Sequence, residues 1–390
     1  MPTFKHLLLV FVCLISVNNA VDLSIADYGA KGDGQTDASR AFINAWAAAC
    51  ESSSAAATIR VPSDKYFVGP VVFQGPRENT RITFRLHGIL LAPADYRHLG
   101  SSADWISFRN VRGVAVIGGY LDGKGSSMWA CKDARNDCPH RASSLAFYDS
   151  KDVLIQDLTS INSKNSHIEI HSSEDVTVRG VRIVAPGRSP NTDGIHVQNS
   201  TGVNILETDI KTGDDCISIG PGTRNLWIES VACGPGHGIS IGSLAKRPEE
   251  EGVENVTVKK VVLRQTENGL RIKAWKRASK GYVRGVVFQH VTMINAKNPI
   301  IIDQHYCPNH GKDCPNQRSG GVKVSDVAYE DIKGTSASKI AVKFDCSASS
   351  PCKHIELHDI MLTYGKPRAR SFCQNVKGTA SGLVEPPSCL

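Results

Sequence analysis

Four short related segments lie between Ser189 and Lys273: Asp193-Gly-Ile-His-Val197, Asp215-Cys-Ile-Ser-Ile219, His237-Gly-Ile-Ser-Ile241 and Asn268-Gly-Leu-Arg-Ile272. Each segment places two apolar residues two positions apart, which is the alternation of a strand with one buried face. The first three segments follow one another at steps of 22 residues. A short strand that returns at a regular period predicts a stacked solenoid.

The residues that precede these strands indicate a site. In a parallel stack, neighbouring strands lie about 4.8 Å apart, so equivalent positions become neighbours in space. Asp193, Asp215 and His237 then form a ladder on one surface, with Asp214 beside it. Adjacent carboxylates raise one another's proton affinity, so a fold gains little from aligning them. Hydrolysis of a glycosidic bond, in contrast, needs one carboxylic acid and one carboxylate.

The apolar alternation recurs along most of the chain. One set of strands is predicted to open at Val153, Val176, Val203, Leu226, Val256, Val286, Val322 and Ile355. A second row passes through Leu145, Ile168, Ile195, Ile217, Ile239, Leu270, Ile300 and Ile340. Almost no helical periodicity follows Cys50, which argues against a strand–helix barrel. The sequence therefore predicts an all-β protein, a single-domain right-handed parallel β-helix that spans residues 21–390.

Charged groups occupy only part of the second row. Ser143 and Ser166 hold the ladder position upstream of Asp193, whereas Asn268 and Asn298 hold it downstream of His237. Ionisable groups thus occupy three consecutive coils of this row. A solvated face would scatter such groups, so their localisation favours a functional site.

The N-terminal segment, residues 21–65, is predicted to cap the solenoid. Thr36 or Asp37 is a suitable cap for a helix that follows. The apolar positions of that helix are Ala41, Phe42, Ala45, Trp46 and Ala49. An open solenoid needs a cover over its first coil, and this short helix is the candidate.

Residues 1–20 have the pattern of a secretory signal peptide. Lys5 and His6 precede the apolar run Leu7 to Ile15, and Ala20 ends the segment. That run is too short to span a membrane, so we expect a secreted, extracellular protein that does not associate with membranes. The formal charge of +7, spread along the chain, does not indicate nucleic-acid binding. Nothing indicates an oligomer, and we expect a monomer.

The cysteines agree with an oxidising compartment. Eleven of the twelve remain after removal of the leader, which contains Cys13. Close spacing suggests five disulfides and leaves Cys50 over: Cys131–Cys138, Cys216–Cys233, Cys307–Cys314, Cys346–Cys352 and Cys373–Cys389. No histidine stands at zinc-ligand spacing beside them, so we expect no metal site. Sequons at Asn199 and Asn255 are candidates for glycosylation.

The same segments resemble a known family. Their order and content are similar to the four signature motifs of the polygalacturonases, family 28 of the glycoside hydrolases. The matching segments are Ser189-Pro-Asn-Thr-Asp-Gly-Ile-His196, Thr212-Gly-Asp-Asp-Cys-Ile-Ser-Ile219, Cys233-Gly-Pro-Gly-His-Gly-Ile-Ser-Ile-Gly-Ser243 and Arg271-Ile-Lys273. Asp27-Tyr-Gly-Ala-Lys-Gly-Asp-Gly34 and Asn298-Pro-Ile-Ile-Ile-Asp-Gln304 look like plant members.

The resemblance implies inverting hydrolysis of α-1,4 links between galacturonic acids in pectin, at the cell wall and without a cofactor. The residue that matches Asp214 would protonate the leaving oxygen, while Asp193 and Asp215 would hold and activate the attacking water. His237 would tune the acid or help to bind substrate. The residues that match Arg271 and Lys273 would bind a substrate carboxylate, and two further matches at the substrate groove are Asn191 and Tyr306.

Each residue also has a structural interpretation. Asp193 is compatible with a plain turn, Asp214 and Asp215 with a turn or a calcium-ligand pair, and His237 with simple packing. A pectate lyase shares this architecture but needs calcium and an arginine base. A non-catalytic pectin-binding β-helix is a further alternative. For a hydrolase, we expect internal cleavage rather than release of terminal sugars, although loops at the groove ends decide this.

Overall fold

The structure is a computed structural model that describes residues 21–52, 54–75, 81–99, 104–134, 137–138, 142–308, 314, 321–366 and 368–390. The expected signal peptide, residues 1–20, lies outside the described residues. No helix in the described ranges is long and apolar enough to cross a membrane.

The described chain is built mainly of strands. Its α-helices are α1 (Ser39–Glu51) and α2 (Ser126–Asp133), and 3₁₀ turns occur at Ile25–Tyr28 and Tyr96–Leu99. The strands are β1 Val21–Ser24, β2 Asp33–Asp37, β3 Ala56–Val61, β4 Lys65–Phe67, β5 Val71–Gln74, β6 Arg81–Leu91, β7 Asp104–Arg109, β8 Arg112–Asp122, β9 Ser143–Tyr148, β10 Lys151–Gln156, β11 Thr159–Ile161, β12 Ile168–His171, β13 Glu174–Arg179, β14 Arg182–Val184, β15 Ile195–Gln198, β16 Thr201–Leu206, β17 Asp209–Lys211, β18 Ile217–Ile219, β19 Arg224–Glu229, β20 Ala232–Cys233, β21 Ile239–Leu244, β22 Val253–Arg264, β23 Asn268–Trp275, β24 Tyr282–Ala296, β25 Asn298–Tyr306, β26 Lys323–Ser336, β27 Ile340–Asp345, β28 Cys352–Thr363, β29 Arg370–Gln374 and β30 Val376–Glu385.

All strand pairings between these elements are parallel. An 11-stranded sheet stacks β5, β7, β9, β12, β15, β18, β21, β23, β25, β27 and β29, so each coil contributes one strand. The remaining 19 strands form a second sheet that wraps the other sides of each coil. Since each strand pairs with its equivalent one coil away, the chain is a parallel β-helix, as the sequence predicts.

The register confirms most of the predicted rows and corrects two positions. Ile168, Ile195, Ile217, Ile239 and Leu270 pair in succession along the 11-stranded sheet.

The first error is at Val322, because the partner of Val286 is Val327. The sequence after Val322 matches the apolar pattern twice within a few residues, and pattern alone selects the earlier match. The second error is at Ile340, which is 39% exposed, whereas Val342 pairs with Ile300 and is fully buried.

The inward-facing apolar rows fill the bore of the β-helix. Ile168, Ile195, Ile217, Ile239 and Leu270 have no exposed surface. The side chains between them point outward, since successive residues of a strand face opposite sides. The outward positions of the 11-stranded sheet therefore form one continuous surface along the solenoid.

Helix α1 closes the N-terminal end of the bore, as predicted. Trp46 is 3% exposed and packs on Phe73, Phe84 and Phe108, with ring centroids 5.3 to 5.9 Å away. The N-cap residue of α1 is Ala38, which makes no side-chain cap bond, so the prediction of Thr36 or Asp37 as the cap is wrong. Asp37 lies one residue earlier and accepts a hydrogen bond from the backbone N–H of Ser39 at 2.8 Å. Thr36 instead donates its hydroxyl to Asp33.

Four successive coils, those of β7, β9, β12 and β15, leave the 11-stranded sheet through a tight corner. Asn110, Asp149, Ser172 and Asn199 occupy this corner in successive coils, with positive φ angles of 49° to 52°. Asn and Asp tolerate the left-handed region because their short polar side chains bond locally. The corner residues therefore explain how strands this short turn without glycine at every coil.

The structure joins five cysteine pairs, the same five that the spacing suggests. The Cα–Cα distances are 6.1 Å for Cys131–Cys138, 6.0 Å for Cys216–Cys233, 5.7 Å for Cys307–Cys314, 5.9 Å for Cys346–Cys352 and 5.6 Å for Cys373–Cys389. Cys50 lies buried in α1, outside these pairs. Asn199 and Asn255 are both exposed, and their glycosylation stays a prediction.

Candidate active site

Three consecutive turns before β15, β18 and β21 bring the predicted ladder together. The backbone N–H of Gly194 donates to the carbonyl of Asp215 at 2.9 Å, and that of His237 donates to the carbonyl of Asp214 at 2.7 Å. These inter-coil bonds hold the turns in register. One carboxylate oxygen each of Asp214 and Asp215 and one ring nitrogen of His237 lie within 4.8 Å of one another.

The ladder position extends further than the sequence analysis proposed. Strand β7 pairs with β9 so that Asp104 stands beside Ser143, one coil upstream. Asp104 is buried, and its carboxylate accepts a hydrogen bond from the Tyr148 hydroxyl at 2.9 Å. Ionisable groups therefore occupy a fourth coil of this row, three coils before that of Asp193, and the prediction that they occupy only three coils is wrong.

Asp215 is enclosed by positive charge. Its carboxylate is 2.7 Å from the Arg271 guanidinium and 2.7 Å from the Lys273 ammonium. The Ser240 hydroxyl donates to the same carboxylate at 2.8 Å and accepts from Arg271 Nε at 2.9 Å. Asp215, Arg271 and Lys273 are 2%, 9% and 7% exposed, so these charges are paired away from bulk water.

Asp193 has a different environment, without a cation in contact among the described residues. The Ser218 hydroxyl donates to its carboxylate at 2.6 Å. His196 Nδ1 lies 2.7 Å from the same hydroxyl and thereby orients it. The carboxylate of Asp193 thus receives a neutral donor, whereas that of Asp215 receives two charged ones.

Asp214 and His237 form a hydrogen-bonded pair. His237 Nδ1 lies 2.9 Å from Asp214 Oδ1, and its Nε2 lies 3.4 Å from the Glu267 carboxylate. The imidazole therefore bridges a site carboxylate and a second, half-exposed carboxylate.

These contacts give the ionisable groups of the site different pKa values. Burial, together with the charges of Asp214 and Asp215, raises the pKa of Asp193 well above its ordinary value. Burial acts in the same direction on Asp214, but the hydrogen bond and charge of His237 outweigh it and lower the pKa of Asp214. Burial opposes protonation of His237, yet Asp214, Asp215 and Glu267 raise its pKa overall. In the free protein, Asp193 and His237 therefore hold protons more readily than Asp214.

Within the described part of the chain, two groups of side chains have the composition of a metal site. Asp214, Asp215 and His237 form one, but the contacts of Arg271 and Lys273 with Asp215 compete with any added cation. Calcium prefers six to eight oxygen ligands, so this group is a poor calcium site on its donor chemistry.

The second group, Asp303, His305 and Asp345, lies further along the same sheet. His305 Nδ1 bonds Asp345 at 2.9 Å, and the Lys343 ammonium is 3.2 Å from the same carboxylate. Its carboxylates thus already have internal partners.

The remaining predicted residues differ in how closely they join the site. Tyr306 lies beside Lys273, with the ammonium 5.4 Å from the ring centroid, and packs edge-on against Trp275. Asn191 is exposed in the turn that leads to Asp193, and its backbone is left-handed, with φ of 57°. The structure thus brings Tyr306 to the cationic side of the site and leaves Asn191 at its rim.

A family model described as glycosyl hydrolases family 28 matches residues 50–383. The chain belongs to this family. Among family 28 relatives, a polygalacturonase of Prunus persica is 54% identical over 98% of this chain and 97% of its own length. An exopolygalacturonase of Platanus acerifolia is 44% identical over 93% of this chain and 96% of its own length. The chain is therefore a glycoside hydrolase, and the family resemblance of its motifs is confirmed.

Solved structures share the fold. An endo-xylogalacturonan hydrolase from Aspergillus tubingensis matches with a TM-score of 0.80 at 21% identity, over 93% of this chain and 100% of that one. A polygalacturonase from Erwinia carotovora matches with a TM-score of 0.68 at 25% identity, over 89% and 94% of the two chains. The β-helix of this family 28 member is thus the architecture of solved pectin-degrading enzymes.

Several side chains at the site were missed by sequence reasoning. Ser218 and Ser240 occupy equivalent outward positions of β18 and β21, and His196 precedes them in β15. The strand alternation that predicts the bore also predicts these outward positions, so a signal was available. Lys132 and Glu267 reach the site from a helix and from a turn, and the register of the strands says nothing about them.

Proposed function

We propose that the chain is a secreted polygalacturonase that hydrolyses α-1,4-galacturonosyl links of pectin with inversion. The observation that carries this proposal is the convergence of three carboxylates from two consecutive coils beside two buried cations. Carboxylates supply the acid and base of glycosidic hydrolysis. Arg271 and Lys273 supply the positive charge that a galacturonate carboxylate requires, and arginine offers the planar fork that suits it.

In the proposed reaction, Asp193 and Asp215 hold the attacking water and accept its proton. The water oxygen forms a bond to the anomeric carbon while the glycosidic carbon–oxygen bond breaks. Asp214 gives its proton to the leaving oxygen. The products are two shorter chains, one with a new reducing end of inverted configuration.

Asp214 must acquire its proton before it acts as the acid, because His237 lowers the pKa of Asp214 in the free protein. A bound polygalacturonate chain adds negative charge beside Asp214 and excludes water. Both effects raise the pKa of a carboxyl group. We propose that substrate binding therefore moves the proton to Asp214, and that Asp193 then serves as a base.

The experiment is an assay of the secreted protein on de-esterified polygalacturonate in the presence of a calcium chelator. New reducing ends without ultraviolet absorbance support hydrolysis, and a β-anomer as the first product supports inversion. Absorbance from unsaturated products that requires calcium would indicate a pectate lyase. A lack of any product would favour a non-catalytic pectin-binding β-helix.

The same assay tests the mode of cleavage. Our sequence-based expectation is internal cleavage, which gives oligomers of mixed length. Release of galacturonic acid alone would indicate exo action instead, which is the activity named for the Platanus acerifolia relative. Product length therefore separates the two modes, without a change in the proposed roles of the aspartates.

A further inference from the structure

Helix α2 lies in the segment between β8 and β9 and is fixed to the loops beside the site. The Ser127 hydroxyl donates to the carbonyl of Ala94 at 2.6 Å, and Trp129 Nε1 donates to the carbonyl of Ser163 at 3.0 Å. The disulfide Cys131–Cys138 ties the C-terminal end of the helix to the following chain. The residue next to Cys131 is therefore held in a defined place.

That residue is Lys132, whose ammonium donates to Asn165 Oδ1 at 3.0 Å. Asn165 stands one coil upstream of Asp193, because the N–H of His167 donates to the carbonyl of Asp193 at 2.8 Å. The Lys132 side chain is half-buried. Burial lowers the pKa of Lys132, and the carboxylates of Asp214 and Asp193 are close enough to oppose this shift.

Lys132 nevertheless makes no ion pair in the described part of the chain, where no carboxylate oxygen lies within 4.0 Å of its ammonium. An ammonium has three donors, and the bond to Asn165 uses one of them. A half-buried cation beside two carboxylates, without a direct contact to either, is suited to an anionic ligand that enters between them.

The position of Lys132 complements that of the other two cations. The charged ends of Arg271 and Lys273 meet at Asp215, whereas Lys132 reaches the coil before Asp193. The coil of Asp215 and the coil of Asn165 are two strand spacings apart, which is roughly 10 Å. This distance fits two sugars that lie on either side of one glycosidic bond. Polygalacturonate carries one carboxylate on every sugar, so both sides of the cleaved bond present a negative charge.

We propose that Lys132 binds the carboxylate of the sugar that lies over the coil of Asn165. This sugar is on the opposite side of the cleaved bond from the sugar that Arg271 and Lys273 bind. This inference rests on the proposed polygalacturonate substrate. Lysine supplies a point charge on a flexible stem, which suits a carboxylate approached from the side of the groove. The site then recognises one charge on each side of the bond, and a neutral sugar upstream is a poor substrate.

Three variants separate charge from structure. Lys132→Met removes the charge and keeps the stem, Lys132→Arg keeps a charge, and Asn165→Ala removes the bond to the helix while the ammonium stays. Lys124→Met is the matched control, since Lys124 lies just before α2 and already pairs with Asp122 at 2.7 Å. The measurements are KM and kcat on polygalacturonate, the thermal midpoint, and trigalacturonate binding in an Asp214→Asn background.

Lys132→Met is expected to raise KM and weaken trigalacturonate binding by about tenfold to a hundredfold, the range for loss of a charged hydrogen bond. Lys132→Arg is expected to keep most of the binding because it keeps the positive charge, and Asn165→Ala is expected to weaken binding less than Lys132→Met does. Lys124→Met is expected to match wild type. Unchanged binding in Lys132→Met, or an equal loss in Asn165→Ala with a lower thermal midpoint, would overturn the inference. If wild type binds trigalacturonate through Lys132 but cleaves nothing, the proposed hydrolysis fails, whereas the contact between Lys132 and a galacturonate carboxylate stands.

Discussion

Two kinds of secondary-structure element supply the positive charges around the three aspartates. Arg271 and Lys273 belong to β23, face outward from the same strand, and are both bonded to Asp215 at 2.7 Å. Lys132 belongs to α2, bonds to an amide oxygen of Asn165, and stays out of contact with any carboxylate of the described chain. The strand cations are nearly fully buried, whereas the helix cation is half-buried.

This difference gives unlike environments to the two aspartates that are proposed to hold the attacking water. Asp215 has two cations in direct contact with its carboxylate. Asp193 lacks such contacts, and its pKa is raised by burial and by its acidic neighbours. The strand-borne cations therefore hold the site together without substrate, while the helix-borne cation is available to a ligand.

The largest effect is expected at Asp214, the proposed acid. Asp214→Asn is expected to lower kcat by roughly 10²–10⁴-fold, because an amide cannot donate the acid's proton. Rates of reducing-end release on polygalacturonate measure this. Asp209→Asn, at a partly exposed position of β17, is the control and should keep full activity. Near-normal turnover by a folded Asp214→Asn protein would refute the role of Asp214 as the acid.

Loss of a strand-borne cation should have the next largest effect. Arg271→Ala is expected to raise KM about tenfold or more, since a charged hydrogen bond contributes roughly 1.5–3 kcal/mol. It also removes one of two partners of buried Asp215, so the thermal midpoint should fall. Arg284→Ala removes an exposed arginine that pairs with Glu254 and serves as the control. Steady-state kinetics unchanged from wild type would contradict a role for Arg271 in substrate binding.

A smaller effect is expected where the helix-borne cation is loosened rather than removed. Cys131→Ser with Cys138→Ser frees the end of α2, so Lys132 loses its fixed position. KM on polygalacturonate should rise by less than in Arg271→Ala, with kcat nearly unchanged. Cys373→Ser with Cys389→Ser, at the C-terminal end of the solenoid, should leave KM as it is. An equal KM in the two double variants would show that Ser127 and Trp129 hold the helix without the disulfide.

The smallest effect concerns Glu267, whose carboxylate helps to raise the pKa of His237. Glu267→Gln removes that negative charge, so the pKa of His237 falls and the His237–Asp214 pair loses its proton at lower pH. The alkaline limb of the pH–kcat/KM profile should therefore move to lower pH by a few tenths of a pH unit. This follows because an exposed ion pair contributes roughly 0.2–1 kcal/mol, and one pKa unit corresponds to about 1.4 kcal/mol. An unmoved or raised limb in the pH–kcat/KM profile would contradict the role of Glu267.

Strand periodicity predicted most of the strand positions and the ladder of ionisable residues. A residue on a regular strand has its facing and its neighbours set by alternation and register, so the sequence places Asp193, Asp215 and His237 in one ladder. The same logic failed at Val322 and Ile340, where the apolar pattern fits in two frames. Only the packing of adjacent coils selects Val327 and Val342 instead.

The sequence by itself determined the β-helix and the ladder of carboxylates, because both depend on residues repeated at a regular period, and it indicated the family through the resemblance of its motifs. The tertiary structure alone decided that Lys132 and Glu267 reach the same site. Their positions depend on how α2 packs and where a turn ends, and neither is encoded in the spacing of strands. The charge states of the aspartates also depend on such contacts, since a pKa responds to burial and to neighbours that come from distant parts of the chain.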